Sequence, residues 1–473
     1  MTMDLTKRLS LFLALFALAV ALQWLGNAYA VEPGVQVDEP RHLITGLMAR
    51  DWVAAGFPRP AAQYAENYGA HYPRVAWGQW PPVFYVAQAA WTLILPPSRV
   101  TILLLMAALT ALLCLRTAEA APGQAAGLVG ALMLLTLVPV LIYSRLVMAE
   151  MLLCWLCLEA VLAFAAWMEA PGAKRAWWFA FWAAAAILTK ITAVWLAPMA
   201  AVALALSGRR TLWREKSLWG AGLAVVALTA PWYLLAPGAL EQAGPAAIAG
   251  SFPRRARIVY DLARTLVVWM GPLLLAALWG ARELWKRGAA LAPVAAACVL
   301  GMEMVRFAVP ATAFDHRTIM PLLAPLMICA AAGIAPALER FPAATAVALA
   351  CLGCTSVLSV TPKQGLHVEA AARFCASRPE YRDAPIWLGA EFSREGAFIA
   401  ELALAEQRPG HRVLLSPSKA PAAGSMALIV IESDPRLWRT PQVKLLAGTI
   451  AGHRGTLRLV HSSQLLVYES AAR

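Results

Sequence analysis

Residues 9–41 read LSLFLALFALAVALQWLGNAYAVEPGVQVDEPR. The first part, 9–30, holds no Asp, Glu, Lys or Arg and exceeds the roughly 18 residues that a spanning helix needs. Lys7 and Arg8 precede it. It ends Ala28-Tyr29-Ala30, which imitates a signal-peptidase site, but the run outlasts the usual apolar region of about 7–15 residues. A retained helix with its N-terminus in the cytoplasm is expected. Asp38-Glu39-Pro40 then lies just outside that helix.

Working outward, similar apolar runs recur at 99–115, 124–143, 147–168, 218–236, 262–281, 290–309, 318–336 and 342–360. Residues 176–206 form one longer run, bracketed by Lys174 and Arg175 and by Arg209, Arg210, Arg214 and Lys216. Basic residues favour the cytoplasm, so this run is expected to cross twice, with Thr189-Lys190 near the outer turn. The total is about eleven crossings, which defines an all-α polytopic membrane protein. Composition agrees: 60% of residues are hydrophobic and 14% charged, against about 25% charged in a soluble domain. The net charge of +13 belongs to loops that set orientation, and no basic stripe with interleaved aromatics points to nucleic acid. An arginine excess on the outer side, at Arg41, Arg50, Arg59, Arg74 and Arg99 and at Arg254, Arg255 and Arg257, also fits an anionic ligand.

Two regions depart from this pattern. The first outer loop, about 31–98, holds an amphipathic segment at 40–55, with Leu43, Ile44, Leu47, Met48 and Trp52 on one face, suited to the membrane interface. A short apolar segment follows at 82–95. Beyond residue 361, charged and apolar residues mix. There, 386–389, 413–415, 428–431, 457–460 and 465–468 read as strands and 392–406 as a helix. The chain therefore divides into a membrane domain, 1–361, and a small α/β domain, 362–473, expected outside. Cys154 and Cys157, and Cys351 and Cys354, form C-x-x-C pairs inside apolar helices, where buried thiols act as small hydrophobic filler.

Few residues can carry chemistry. Asp38-Glu39-Pro40 has an ordinary reading, since an acid before proline starts helices and suits the N-terminal dipole. It also has a chemical one: a carboxylate at the membrane surface can take a proton from a hydroxyl or amine as general base. Adjacent helical residues point about 100° apart, so one of the pair would act and the other position. Glu150 follows Tyr143-Ser144-Arg145 at a membrane face, where ionisable residues are costly and often functional; an interfacial anchor is the plain alternative. Lys190 could hold a phosphate as a point charge or snorkel. Arg317 could bind phosphate oxygens in a fork, with Arg306 and His316 nearby. His42 and His71 have no partner at metal-ligand spacing, so no metal is expected.

The order of these features resembles the GT-C glycosyltransferases, which include protein O-mannosyltransferases and lipid A aminoarabinose (ArnT-like) transferases. Asp38-Glu39 and then Gln79-Trp80-Pro81-Pro82-Val83-Phe84-Tyr85 look like the family's Asp-Glu pair and Pro-Pro-Leu-Tyr-Tyr-like loop motif. Tyr143-Ser144-Arg145 with Glu150, Leu188-Thr189-Lys190 and His316-Arg317-Thr318-Ile319-Met320-Pro321 resemble three later motifs. The chain departs from the family pattern at Trp80, usually Lys or His, at Glu150, usually Asp, and at Ile191, usually Gly.

The resemblance implies a bacterial inner-membrane enzyme with its site and C-terminal domain on the periplasmic side. The donor would be a sugar on a polyprenyl phosphate, the acceptor a lipid, glycan or protein, and no cofactor would be needed. Asp38 would be the general base of an inverting transfer, with Glu39 and Glu150 positioning the loops. Lys190, Arg317, Arg145 and His316 would surround the donor phosphate. Removing the tail would be expected to spare the chemistry. A lipid or sugar transporter or flippase is the first rival, but no internal repeat is visible and the acids lie outside the membrane centre. A non-catalytic membrane scaffold is the second.

Overall fold

Leu5–Leu25 forms the first helix, α1, along the uninterrupted apolar run, and ends at Gly26 and Asn27. Asn27 takes the left-handed conformation (φ 60°), which asparagine tolerates because its short side chain bonds locally. The computed structural model describes residues 4–236, 251–309, 315–382, 384–415, 426–437, 439, 441–452 and 457–470.

The long segment after α1 is helical. It contains α2 (Asp38–Ala54), α3 (Ala61–His71) and α4 (Val83–Ile94). The bundle continues with α5 (Arg99–Ala120), α6 (Gln124–Thr136), α7 (Val138–Tyr143), α8 (Glu150–Glu169), α9 (Ala173–Ile187), α10 (Leu196–Ser207) and α11 (Lys216–Leu235). Helices Phe252–Met270, Pro272–Lys286, Leu291–Ala308, Met320–Arg340 and Pro342–Ser359 complete it. Among the described residues, seven helices are long and apolar enough to cross a membrane, and up to eight counting one bent pair. The window at 124–143 and the run at 176–206, expected to cross twice, are built from shorter pieces.

Burial sorts the helices. The window in His316–Arg340 is 89% buried inside the molecule, while that in Pro342–Ser359 is 6% buried; the first is the central post and the second a lipid-facing edge. Close packing around the post depends on glycine. A Cβ on Gly280 would overlap the Cys329 carbonyl oxygen, and one on Gly333 that of Ala276. Small residues allow such backbone approach between helices in a bilayer, where the hydrophobic effect does not drive them together.

Two expectations need correction. The window 262–281 is not one straight helix. Phe252–Met270 and Pro272–Lys286 meet at 99°, because Gly271 adopts φ 51° and Pro272 cannot continue the preceding hydrogen-bond ladder. The apolar face of α2 does not meet the membrane interface either. Leu43, Ile44, Leu47 and Met48 are all buried in the protein, where α2 packs on α4 and on helix Phe392–Glu406 of the C-terminal region.

That region carries five strands: β1 (Pro385–Gly389), β2 (Arg412–Leu415), β3 (Ala427–Glu432), β4 (Leu457–Ser462) and β5 (Leu465–Ser470). The sheet order is β2-β1-β3-β5-β4. β1 pairs parallel with β2 and β3, and β5 pairs antiparallel with β3 and β4. β3 is buried along its whole length, as a central strand covered on both faces should be. The domain is bonded to the segment between α1 and α5 and to the start of α5. Arg74 pairs with Glu395, Arg99 with Glu369 and Glu401 (2.8 Å each), and Tyr72 donates to Glu406.

Candidate active site

Asp38 opens α2, where its charge suits the helix N-terminus. Glu150 opens α8. Lys190 lies in extended backbone after α9 (φ −157°), and Arg317 in the turn His316–Ile319. Four elements distant in sequence thus bring four charged side chains to one end of the bundle. Arg317 Nη1 donates to Asp38 Oδ2 at 3.1 Å and stands 3.7 Å from Glu150 Oε1. Lys190 Nζ donates to that same Glu150 oxygen at 2.8 Å.

Arg317 is held by its own turn. Asp315 Oδ1 accepts the Arg317 backbone N–H (2.9 Å), and Asp315 Oδ2 accepts Nε (2.6 Å). Burial differs across the cluster: the Glu150 side chain is 1% exposed, Arg317 18%, Lys190 20% and Asp38 27%. Solvent or a ligand can therefore reach Asp38, as it can the 38% exposed Asp315, but not Glu150. The second oxygen of Glu150 is buried and has no hydrogen-bond partner among the described residues, which is unusual for a carboxylate.

The loop motif meets the cluster through backbone. Pro82 precedes α4, and the Val83 N–H donates to the Leu188 carbonyl (3.0 Å), tying the Pro81-Pro82 turn to the segment before Lys190. Tyr85 is buried, and its hydroxyl lies 3.0 Å from His42 Nδ1.

His42 has no metal-ligand spacing to mark it in the sequence. Its position four residues after Asp38 was the available signal, since i and i+4 share a helix face. Its ring lies 4.5 Å from that of Trp80 and edge-on to Phe84. Burial lowers its pKa to about 4; Glu150 and Asp38 pull it up, and Lys190 and Arg317 push it down. The imidazole is neutral at physiological pH.

Arg145 and His316, expected at the phosphate, bond to other groups, and Glu39, expected to position the loops, bonds to their backbone and to a lysine. Arg145 donates to two carbonyls, Gly26 (3.4 Å) and Thr361 (2.8 Å); a Cβ on Gly26 would strike its guanidinium. His316 Nδ1 faces Thr265 Oγ1 at 3.1 Å, with its ring beside Trp269. Glu39 is buried and pairs with Lys363 (3.0 Å). Among the described residues, no group of His, Cys, Asp or Glu is arranged to hold a metal ion.

The arrangement is that of a multi-pass membrane protein with a charged cluster at one end of its bundle and a small α/β domain bonded to the loop that carries Asp38. No family profile matches the sequence, and no curated protein matches it. Solved structures do match the fold. ArnT from Cupriavidus metallidurans bound to undecaprenyl phosphate superposes with a TM-score of 0.66 at 13% identity, covering 99% of each chain. ArnT from the same organism in the apo state gives 0.65 at 14% identity, covering 99% of this chain and 98% of that one. The fold of these structures is therefore shared along nearly the whole chain.

Proposed function

We propose that the protein is a glycosyltransferase that moves a sugar from a polyprenyl-phosphate donor to an acceptor at the outer face of a bacterial inner membrane. The observation that carries this reading is the convergence of Asp38, Glu150, Lys190 and Arg317 within a fold shared with a structure bound to undecaprenyl phosphate. Transfer from a lipid phosphate needs two things: a base for the incoming nucleophile and positive charge for the departing phosphate. The cluster supplies both.

The resting arrangement pairs each of its cations with a carboxylate. Asp38, Asp315 and Glu150 face Arg317 and Lys190, so an incoming phosphate must displace a carboxylate. Asp38 and Asp315 are both partly exposed, but Asp38 holds Arg317 through one bond where Asp315 holds it through two, so Asp38 is the one displaced. When the donor phosphate takes Arg317, Asp38 is released beside it and becomes a stronger base. The acceptor hydroxyl or amine then attacks the anomeric carbon opposite the phosphate, with inversion, and gives its proton to Asp38. The carbon–phosphate-oxygen bond breaks, and Arg317 and Lys190 stabilise the charge gathering on the leaving phosphate. Glu150, too buried to reach substrate, aims both cations.

Binding of polyprenyl phosphate to purified protein tests this. A charge-assisted contact contributes about 1.5–3 kcal/mol, so Arg317→Gln and Lys190→Met should each weaken binding roughly 10- to 100-fold. Asp38→Asn removes the competitor for Arg317 and should bind at least as tightly as wild type. Equal binding by all four proteins would remove the phosphate from this cluster.

A further inference from the structure

We propose that Lys363 is a positioning residue for the transfer, registering the Asp38 and Glu150 segments through a buried ion pair with Glu39. The inference rests on the transferase reading above and gives the C-terminal junction a part in it.

One carboxylate gathers three chain segments. Glu39 Oε1 accepts from Lys363 Nζ (3.0 Å) and from the Val147 N–H (3.2 Å), and Glu39 Oε2 accepts from the Gly34 N–H (2.8 Å). Gly34 belongs to the strand of chain entering Asp38, and Val147 to the turn entering Glu150. An ionised carboxylate has acceptor sites for all three donors, whereas an amide has one oxygen and adds donors of its own. The segment must therefore be anionic here, and an anion this deep requires a counter-charge.

Lys363 supplies it from a fixed place. Its backbone N–H donates to the Gly26 carbonyl (2.8 Å), and its own carbonyl accepts from Asn27 Nδ2 (3.1 Å). Arg145 braces the same junction from the second loop through Gly26 and Thr361. The Lys363 and Glu39 side chains are 3% and 1% exposed, so neither touches substrate. Gly34 is also constrained from outside: at φ 147°, a Cβ there would overlap Leu366 and Ala397 of the C-terminal region. Two well-packed apolar side chains often replace a buried ion pair without loss of stability. What they cannot do is accept both loop amides, which is the service that bears on Asp38 and Glu150.

The test compares wild type, Lys363→Met and Lys363→Arg as full-length protein. Backbone exchange at Gly34 and Val147 is followed beside transfer kinetics. In Lys363→Met those two amides should lose protection about tenfold or more while β3 keeps its own. A misplacement of catalytic groups by about 1 Å costs up to roughly 100-fold, so kcat should fall about 10- to 100-fold with donor KM unchanged. Lys363→Arg should recover most of both. Should Lys363→Met fail to fold, Asn27→Gly removes the Nδ2 bond and keeps the left-handed backbone; it should lower kcat several-fold at constant KM. A folded variant with wild-type kcat or wild-type protection at Gly34 and Val147 overturns the proposal, as does a KM that rises while kcat falls. If the wild type transfers nothing, the function reading fails, and the exchange result alone decides the role of Lys363.

Discussion

Asp38 and Arg317 make one bond that defines the resting site, and everything catalytic in the account follows from breaking it. A carboxylate paired with a guanidinium at 3.1 Å is a poor base, and a guanidinium so paired is a poor phosphate site. The donor converts both at once. Arg145 offers a contrast that can be measured. It spends its donors on the Gly26 and Thr361 carbonyls, so Arg145→Met should leave polyprenyl phosphate affinity unchanged. The same variant should lower stability by about 2–4 kcal/mol, from two bonds to a charged donor. A thermal melt beside a binding titration reads both, and a melt unchanged with affinity lost would return Arg145 to the phosphate. At this scale the sequence was partly legible. Asp38, Glu150, Lys190 and Arg317 were recognisable as candidates, yet only a family resemblance linked residues so far apart. The partners of Arg145 and Glu39 were not legible, because they are backbone groups and a lysine 324 positions away from Glu39, which no local pattern announces.

Helix α2 illustrates what an element adds. Its apolar stripe was legible, but whether lipid or protein covers it depends on tertiary packing, and α4 with Phe392–Glu406 covers it. Burial extends to His42, and that has a pH consequence. A histidine held neutral in the fold, with its pKa lowered from 6.5 to about 4, takes its proton only in the unfolded chain between those values. Stability is then fully present above about pH 6.5 and is lost as pH falls towards 4, by about 3 kcal/mol. His42→Asn, which keeps an acceptor for the Tyr85 hydroxyl, should flatten that slope; an identical slope in acid-unfolding curves would show that other groups set it. The break between Phe252–Met270 and Pro272–Lys286 was not legible. Hydropathy averages over Gly271-Pro272, and only the positive φ at Gly271 reveals the corner.

The whole molecule is a bundle with its chemistry gathered at one end and its C-terminal domain bonded at that end. The spans and the five strands were legible, because apolar length and two-residue alternation are local signals. The docking of the tail was not, because Arg74, Arg99 and Tyr72 meet Glu395, Glu369, Glu401 and Glu406 across the fold. The tail is tied to the loop that carries Asp38. The most direct test of the central claim is transfer of label from polyprenyl-phosphate sugars in membranes containing wild type or Asp38→Asn at matched expression. The account predicts label in an acceptor with wild type and a loss of at least about 100-fold with Asp38→Asn. Equal transfer by both proteins would contradict it and reduce Asp38 to a helix-capping partner of Arg317.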